Sequence, residues 1–183
     1  MHLPHLVIVL AVSCTWAGVA MVMRRSFRFA DQKNLAKSCL TGSGVFCTVA
    51  QLVAVASTKP PTGLLPWLGV CCLLLANLLL FWALSIHGKA RPAYAFVPTA
   101  PVSFAQTGPY RFVRHPIYTA YLLAWLAGPL VTGHFWLLAT VGWMAFLYYR
   151  AARQEERFFS ASPFAAKYQE YLKQTGMFFP RPM

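Results

Sequence analysis

The stretch RHPIYTAYLLAWLAGPLVTGHFWLLATVGWMAFLYYRAARQEER, residues Arg114–Arg157, places charged side chains at both ends of a long apolar segment. Its two apolar runs, Ile117–Val131 and Phe135–Tyr149, are each somewhat shorter than the roughly 20 residues that a membrane-spanning helix needs. The residues TGH at Thr132–His134 separate the runs and predict a tight turn. We therefore expect a hairpin of two short helices whose charged ends meet at one face of a membrane.

The composition of the chain is that of a membrane protein. Of its 183 residues, 58% are hydrophobic and 11% are charged, whereas soluble domains carry about 25% charged residues. The formal net charge of +12 is compatible with nucleic-acid binding, but the basic residues lie between apolar runs and not on one soluble face. We therefore expect no nucleic-acid partner, and instead a basic membrane protein beside anionic membrane lipids.

Three more apolar segments precede the hairpin, at Leu3–Met23, Ser38–Ser57 and Leu64–Ile86, and each is long enough to cross a bilayer. Arginines follow the first segment, which is the reverse of a secretory signal peptide, so we expect a retained helix. The sequence thus predicts an all-α, polytopic membrane protein with about five spans in a single domain, residues 1–183. Residues 1–88 would hold three spans, 89–116 a cytoplasmic loop, 117–149 the hairpin, and 150–183 a cytoplasmic C-terminal cap of helices.

The distribution of basic residues predicts the orientation of these spans. Fifteen of the sixteen lysines and arginines fall in Arg24–Lys37, Gly88–Pro116 and Arg150–Met183, which five spans place on one side of the membrane. Only Lys59 lies on the other side. Because cytoplasmic segments are enriched in basic residues, we expect the C-terminus in the cytoplasm and the N-terminus outside. Three prolines predict little regular structure in the loop Gly88–Gln106.

The start of the fourth predicted helix concentrates polar groups. Pro116 suits the first helical turn and disfavours helical geometry at His115. The free N–H groups of this helix end, together with Arg111 and Arg114, could therefore hold a carboxylate, and Tyr118 lies one turn further in. The alternative is that arginine and tyrosine only anchor the helix at the membrane interface. No second histidine, cysteine or carboxylate lies nearby in sequence, so we predict no metal site.

Two of the four acidic residues, Glu155 and Glu156, stand side by side just after the hairpin. Ionisable residues at a membrane boundary are costly to bury and are frequently functional, and this pair could hold a cationic group. The alternative is salt bridging to neighbouring arginines, such as Arg153 and Arg157, along an exposed helix.

The C-terminal segment predicts a short helix that begins near Ser162 and Pro163 and stops at Gly176. Tyr168 and Tyr171 are three residues apart and therefore share one face of that helix. Their face could close over a ligand. Alternatively, the helix could lie on the membrane surface as an amphipathic element.

The chain resembles the isoprenylcysteine carboxyl methyltransferase family in the order of RHPIY, an apolar hairpin, EER and YQEYLKQTGMFFP. Members of this family are integral membrane enzymes that use S-adenosylmethionine, and the wider group includes the phospholipid N-methyltransferases. The resemblance covers residues 108–180, less than half of the chain, and the upstream spans add a compatible number of helices. One departure is Ala120, where many members have glycine.

The resemblance implies a binding site for S-adenosylmethionine at the cytoplasmic side of the hairpin. The cofactor-binding residues that it implies are His115, Pro116, Tyr118, Glu155, Glu156, Tyr168 and Tyr171. The two glutamates would approach the amino-acid end of the cofactor, and aromatic faces could receive its adenine and its sulfonium. We interpret Arg114, Arg153 and Glu156 as the catalytic residues.

The sequence leaves the methyl acceptor open. One reading is methylation of the carboxylate of a lipophilic substrate, such as a prenylated cysteine, that enters from the bilayer and needs no general base. A second is N-methylation of a phospholipid such as phosphatidylethanolamine, whose amine would lose a proton to His115 or to a glutamate. A third is an NADPH-dependent membrane reductase, because the membrane steroid reductases look similar in their C-terminal architecture. A fourth is a non-catalytic membrane protein whose charges serve topology alone.

Overall fold

The computed structural model of the chain describes residues 3–27, 35–57, 59, 61–87 and 105–181. Within these ranges the helices are α1 (Leu3–Phe27), α2 (Leu35–Ser57), α3 (Leu65–His87), α4 (Pro116–Thr132), α5 (Leu138–Ser160) and α6 (Ala165–Gln174). Two short 3-10 turns and one isolated β-bridge complete the regular structure of the described residues. The all-α prediction is confirmed for this part of the chain. Most of the loop that we predicted at Gly88–Gln106 lies outside the described residues.

The predicted apolar segments correspond to five of these helices. Among the described residues, Ser38–Ser57 and Leu65–Ile86 are long and apolar enough to cross a membrane, and Leu6–Met21 and Pro116–Thr132 are shorter apolar helices. Large apolar side chains such as Phe46 on α2 remain exposed, as expected of a surface in contact with lipid. The total of five spans, their sidedness and the cytoplasmic cap stay predictions.

Helix α4 packs closely along α3. A Cβ atom added at Gly69 of α3 would lie 3.0 Å from the backbone nitrogen of Val131 and 3.1 Å from the carbonyl oxygen of Ala127. Small residues on α4, including Ala120 and Ala124, are buried in the same bundle. Such residues let two helices approach closely, which is how helices associate in a membrane, where hydrophobic burial gives little driving force.

The polar residues inside the predicted spans have specific partners. Pro129 lacks an N–H group, so the carbonyl of Trp125, four residues earlier on α4, has no helical donor. Gln51 of α2, which is fully buried, donates its amide to that carbonyl at 2.8 Å. Asn77 of α3 donates to the hydroxyl of Thr15 on α1 at 2.7 Å. These two amides therefore join helices at points where an unpaired polar group would be costly.

The turn between α4 and α5 has the residues that its geometry requires. Gly133 adopts a left-handed conformation with φ of 71°, and its N–H donates to the carbonyl of Pro129 at 2.9 Å. This conformation ends the helix and favours glycine, in agreement with the turn predicted at Thr132–His134. Helix α5 then runs without a break from the apolar segment to Ser160.

The predicted start of the C-terminal helix was wrong by a few residues. We expected Ser162 to cap the helix and Pro163 to occupy its first turn, but α6 begins at Ala165. Ser162 instead closes the turn between α5 and α6, because its hydroxyl accepts from the N–H of Phe164 at 3.2 Å and its carbonyl accepts from the N–H of Ala165 at 3.0 Å. Helix α6 ends at Gln174, two residues before the predicted stop.

Candidate active site

The C-terminal segment fixes the start of α4 from outside the helix. The N–H of Arg114 donates to the carbonyl of Gly176 at 2.8 Å, and the N–H of His115 donates to that of Met177 at 3.1 Å. Val113 and Gly176 form a parallel β-bridge. The hydroxyl of Thr119, one turn into α4, donates to the carbonyl of Phe178 at 2.9 Å. Residues 175–178, here called the tail strand, therefore hold the backbone from which Arg114 and His115 project.

Helix α5 delivers the two glutamates to the same place. Ala151 and Ala152 are fully buried, so α5 packs closely at this level of the bundle. Glu156, one turn further on, is also buried, and Glu155 is only slightly exposed. The part of α5 that follows the apolar segment thus carries its carboxylates inward, and not along an exposed face.

Arg114, His115, Arg153 and the two glutamates form a charged cluster. Its shortest ion pair joins Arg114 to Glu156. The Nε of Arg114 donates to Oε1 of Glu156 at 2.7 Å, and its Nη1 donates to the carbonyl of Thr175 in the tail strand. Arg153 lies one turn before Glu156 on α5, is 52% exposed, and reaches Oε2 of Glu156 only at 3.9 Å. Arg114 therefore forms a buried ion pair, whereas the side chain of Arg153 lies next to the cluster and is exposed to solvent.

His115 lies between the two glutamates. Its Nε2 is 3.4 Å from Oε1 of Glu156 and its Nδ1 is 3.5 Å from Oε2 of Glu155. Burial opposes the charged imidazolium, but the two carboxylates outweigh that effect and raise the pKa of His115 above its usual value. Burial likewise opposes ionisation of Glu156, yet hydrogen bonds from His115 and Arg114 lower its pKa. The positive charges of Arg114 and His115 thus face the negative charges of Glu155 and Glu156.

Tyr118 connects the charged cluster to the interior of the bundle. Its hydroxyl donates to Oε1 of Glu155 at 2.5 Å. Its ring stacks with that of His115, with centroids 5.6 Å apart, and with that of Tyr148 of α5, with centroids 5.2 Å apart. A column of aromatic rings therefore leads from the carboxylates into the apolar core.

Helix α6 buries the tyrosine face that the sequence predicted. The hydroxyl of Tyr171 donates to the carbonyl of Tyr110, and burial raises the pKa of Tyr171 to about 12. Tyr168 stacks on Phe159 of α5 at 4.9 Å between centroids. Burial raises the pKa of Tyr168 as well, and the negative charge of Glu156 adds to that effect. Both tyrosines thus pack inward beside the ion pair.

The structure brings most of the predicted residues together and adds others. Arg114, His115, Pro116, Tyr118, Glu155, Glu156, Tyr168 and Tyr171 form one cluster where α4, α5, α6 and the tail strand meet. Sequence reasoning missed Thr119, Tyr148 and the hydrogen bonds from the tail strand to the start of α4, although the residues of the tail strand belong to the quoted YQEYLKQTGMFFP. Tyr148 lies in an apolar run and has the pattern of an ordinary core residue, and a segment with a single β-bridge has no periodicity to reveal its pairing.

The donor and acceptor chemistry of this cluster fits the amino-acid end of S-adenosylmethionine. Within the part of the chain that the structure describes, Oε2 of Glu155 lies 3.5 Å from Nδ1 of His115 and Oε2 of Glu156 lies 3.9 Å from Nη1 of Arg153, both long contacts. Carboxylate oxygens with remaining acceptor capacity are suitable partners for an ammonium group. Arg153 adds an exposed guanidinium beside them, which is suited to a carboxylate.

Two comparisons with known proteins place this geometry in a family. The sequence profile of the phospholipid methyltransferase family matches residues 64–165, a range that includes α3, α4 and α5. Methanethiol S-methyltransferase of Pseudomonas deceptionensis is 34% identical to the chain over 119 residues, which are 62% of this chain and 43% of that protein. The chain therefore spans less than half the length of this relative.

Proposed function

The chain belongs to the phospholipid methyltransferase family, whose profile matches more than half of its residues, and from this premise we propose that it transfers methyl groups from S-adenosylmethionine to an acceptor that reaches the site from the membrane. The observation that carries the proposal is the buried cluster of Glu155, Glu156, His115 and Arg114 at the open end of an apolar helix bundle. Buried ionisable groups with perturbed pKa values are concentrated at functional sites.

Each residue of the cluster has a distinct part in this proposal. Glu155 and Glu156 accept hydrogen bonds from the cofactor's ammonium through their Oε2 atoms. Arg114 and His115 hold the two carboxylates in position, since both already pair with Glu156. Arg153, at the exposed edge, is the partner for the cofactor's carboxylate. Tyr168 and Tyr171 form an aromatic wall that excludes water from the cluster.

When bound, S-adenosylmethionine would be held at its amino-acid end by Glu155, Glu156 and Arg153 and would supply an electrophilic methyl group to a lone pair of the acceptor. The chain's contribution is alignment and desolvation, because an in-line displacement has no need of covalent participation by the protein. Both ring nitrogens of His115 face carboxylates, so neither is placed to take a proton from the acceptor.

Because His115 is not placed to act as a general base, the site favours an acceptor whose nucleophilic atom is already deprotonated. The finer proposal is therefore carboxyl methylation of a lipophilic acid such as a prenylated cysteine. A phospholipid amine is the second candidate, favoured by the description of the family, and Glu155 would then be the base. A thiol is the third, favoured by the name of the Pseudomonas relative.

A product analysis separates these acceptors. Purified protein is incubated with S-adenosylmethionine that carries a labelled methyl group, and with a farnesylcysteine analogue, phosphatidylethanolamine vesicles or a short alkyl thiol. After treatment with base, label recovered as methanol identifies a methyl ester, label that stays non-volatile identifies an N-methyl group, and label in a volatile thioether identifies S-methylation. Absence of cofactor binding and of transfer to every acceptor would contradict the proposed function.

A further inference from the structure

The imidazole of His115 lies against the carboxylate oxygen that the proposed function assigns to the cofactor's ammonium. Its Nδ1 is 3.5 Å from Oε2 of Glu155, and its Nε2 is 3.4 Å from Oε1 of Glu156. The other oxygen of Glu155, Oε1, accepts a hydrogen bond from the hydroxyl of Tyr118. The imidazole therefore stands where a second cation is to bind.

The buried charges around His115 balance when its ring is protonated. Arg114 contributes one positive charge and the two glutamates contribute two negative charges, and none of these three side chains is more than 15% exposed. A neutral imidazole would leave one buried carboxylate without its cation, and it would direct an unprotonated ring nitrogen at a carboxylate oxygen. The two carboxylates accordingly raise the pKa of His115, although burial opposes this.

The other charged side chains on the elements around His115 are exposed. On α6 and in the 3-10 turn before α4, these are Arg111, Lys167, Glu170 and Lys173. On α5, Arg150 and Arg157 are exposed, and Arg153 reaches only Oε2 of Glu156, at 3.9 Å. Charges in contact with water are screened, so they act weakly on a buried ring.

The uncharged groups next to His115 are aromatic rings. The ring of Tyr118 stacks with the imidazole, and the ring of Phe178 from the tail strand approaches it with centroids 6.1 Å apart. On α6, burial raises the pKa values of Tyr168 and Tyr171, so both phenols are neutral near pH 7. Among the described residues, the two glutamates and Arg114 therefore determine whether His115 is charged.

From this geometry we propose that His115 gives up a proton when a cationic group binds at Oε2 of Glu155, so that cofactor binding releases a proton to water. The inference rests on the proposed function and adds a dependence of the same site on pH. A further cation would leave the buried set with one positive charge in excess, and loss of a proton restores the balance. The N–H bond at Nδ1 breaks and its electron pair stays on the nitrogen, which becomes a hydrogen-bond acceptor for the ammonium. Nε2 keeps its hydrogen and its contact with Glu156.

Cofactor affinity should therefore rise with pH while His115 titrates. Below the pKa of His115 each binding event must expel a proton, and one proton changes the affinity by at most about tenfold per pH unit. Above that pKa the ring is already neutral, so the release and the pH dependence both disappear. Between about pH 6 and about pH 7 the cofactor's own α-amino group stays mostly charged, because the ordinary pKa of such groups is about 7.7 to 8.0. Glu156 stays ionised in this interval, since its pKa is lowered below 4.5.

Calorimetric titration of the purified, detergent-solubilised protein with S-adenosylmethionine counts these protons when it is repeated in buffers of different ionisation enthalpy. At about pH 6 we expect release of about 0.8 to 1 proton for each cofactor bound, and a Kd that falls by at least about threefold between about pH 6 and about pH 7. S-adenosylhomocysteine has the same ammonium but no sulfonium. It should release as many protons, because the ammonium is the group that displaces the charge of His115.

Two variants assign the released proton to a residue. His115→Gln keeps a donor and an acceptor at the end of the side chain but does not titrate. His134→Gln is the matched control, because His134 lies in the turn after α4, at the end of that helix opposite His115. We expect His115→Gln to bind the cofactor without proton release and with the same Kd at both pH values. His134→Gln should behave like the unchanged protein.

Two results would overturn the inference while the proposed function stands. One is binding of the cofactor by the unchanged protein at about pH 6 without proton release, a measurement that does not depend on whether any variant folds. The other is proton release that persists in folded His115→Gln, which would assign the proton to another group. Failure of the unchanged protein to bind the cofactor would instead refute the proposed function itself, and the inference with it.

Discussion

His115 and Glu156 both make the stability of the cluster depend on pH. The pKa of His115 is raised above 6.5 in the folded protein, so its contribution to stability is complete below that pH and is lost as the pH rises through the raised value. Glu156 has the opposite sign: its pKa is lowered below 4.5, so its contribution is present above that pH and is lost as the pH falls through the lowered value. Both contributions to stability are complete between pH 4.5 and pH 6.5.

The first prediction concerns His115→Gln. We expect the melting temperature of the unchanged protein in detergent to fall as the pH is raised above 6.5, and the difference from the variant to shrink over the same interval, because the imidazolium loses its charge there. Thermal melts from about pH 5 to about pH 9 measure this, since histidine is the side chain that titrates in that range. A difference that is independent of pH would contradict the charged assignment.

Among individual residues, the sequence pointed to Glu155, Glu156 and His115 but did not show which side chain pairs with which. Glu155 and Glu156 stood out because only four acidic residues exist in the chain, and His115 because a proline follows it. Which oxygen faces which nitrogen depends on how α4 and α5 are rotated against each other, and packing sets that rotation. The same holds for Tyr148, which has the sequence pattern of an ordinary apolar helix residue.

Helix α4 depends on a side chain from another helix to tolerate its proline. Gln51 supplies the donor that Pro129 lacks, at the carbonyl of Trp125. Gly128, next to the proline, leaves the space for it, since a Cβ there would overlap the Gln51 amide. The apolar pattern of the sequence predicted both helices. It could not predict this bond, because residues 74 positions apart have no local signal of contact.

The second prediction is a coupling between Gln51 and Pro129. Gln51→Leu leaves a buried carbonyl unpaired and should cost about 1–2 kcal/mol of stability. Pro129→Ala restores a helical N–H for the same carbonyl, so the cost of Gln51→Leu should be smaller in that background. Thermal or denaturant unfolding of the two single variants and the double variant measures the coupling. Strictly additive effects would show that the hydrogen bond does not compensate for the proline.

The third prediction concerns the tail strand. In Gly176→Ala the new Cβ would overlap the carbonyl of Phe179, so the strand must move away from Arg114 and His115. We expect cofactor affinity to fall about tenfold or more, because the backbone that positions the cluster is no longer held. The matched control is Gly142→Ala on α5, where nothing lies within 4 Å of the added Cβ. It should leave binding unchanged and alter stability by at most about 1 kcal/mol. Equal binding by both variants would contradict this role.

In the molecule as a whole, the helices place the charged cluster at one end of the bundle. The charged cluster lies where α4 begins, and the chain between it and Gly133 at the far end of α4 is almost entirely apolar. An acceptor dissolved in lipid and a charged cofactor from water could therefore meet at this boundary. Composition and the apolar runs were sufficient to predict an all-α protein and the positions of its long helices, because both depend on the solvent around the protein and not on tertiary detail.

The fourth prediction is the sidedness of that arrangement. A fluorescent reporter fused after Met183 should be active in the cytoplasm, and a reporter of external location fused before Met1 should be active outside, because the basic segments favour the cytoplasmic side. A fusion inserted at Lys59 should report the external side. Cytoplasmic location of both ends would contradict the five-span topology.

The most direct test of the central claim is equilibrium binding of S-adenosylmethionine to the purified, detergent-solubilised protein and to two variants. Glu155→Gln keeps an oxygen to accept from Tyr118 but removes the negative charge proposed to hold the ammonium. Glu170→Gln removes an exposed charge on α6 and is the control. We predict that Glu155→Gln weakens binding by about 30-fold or more, as expected when one member of a buried charge pair is lost, while Glu170→Gln binds normally. Equal affinity of all three proteins, with Glu155→Gln still folded, would contradict the claim that this cluster is the cofactor site.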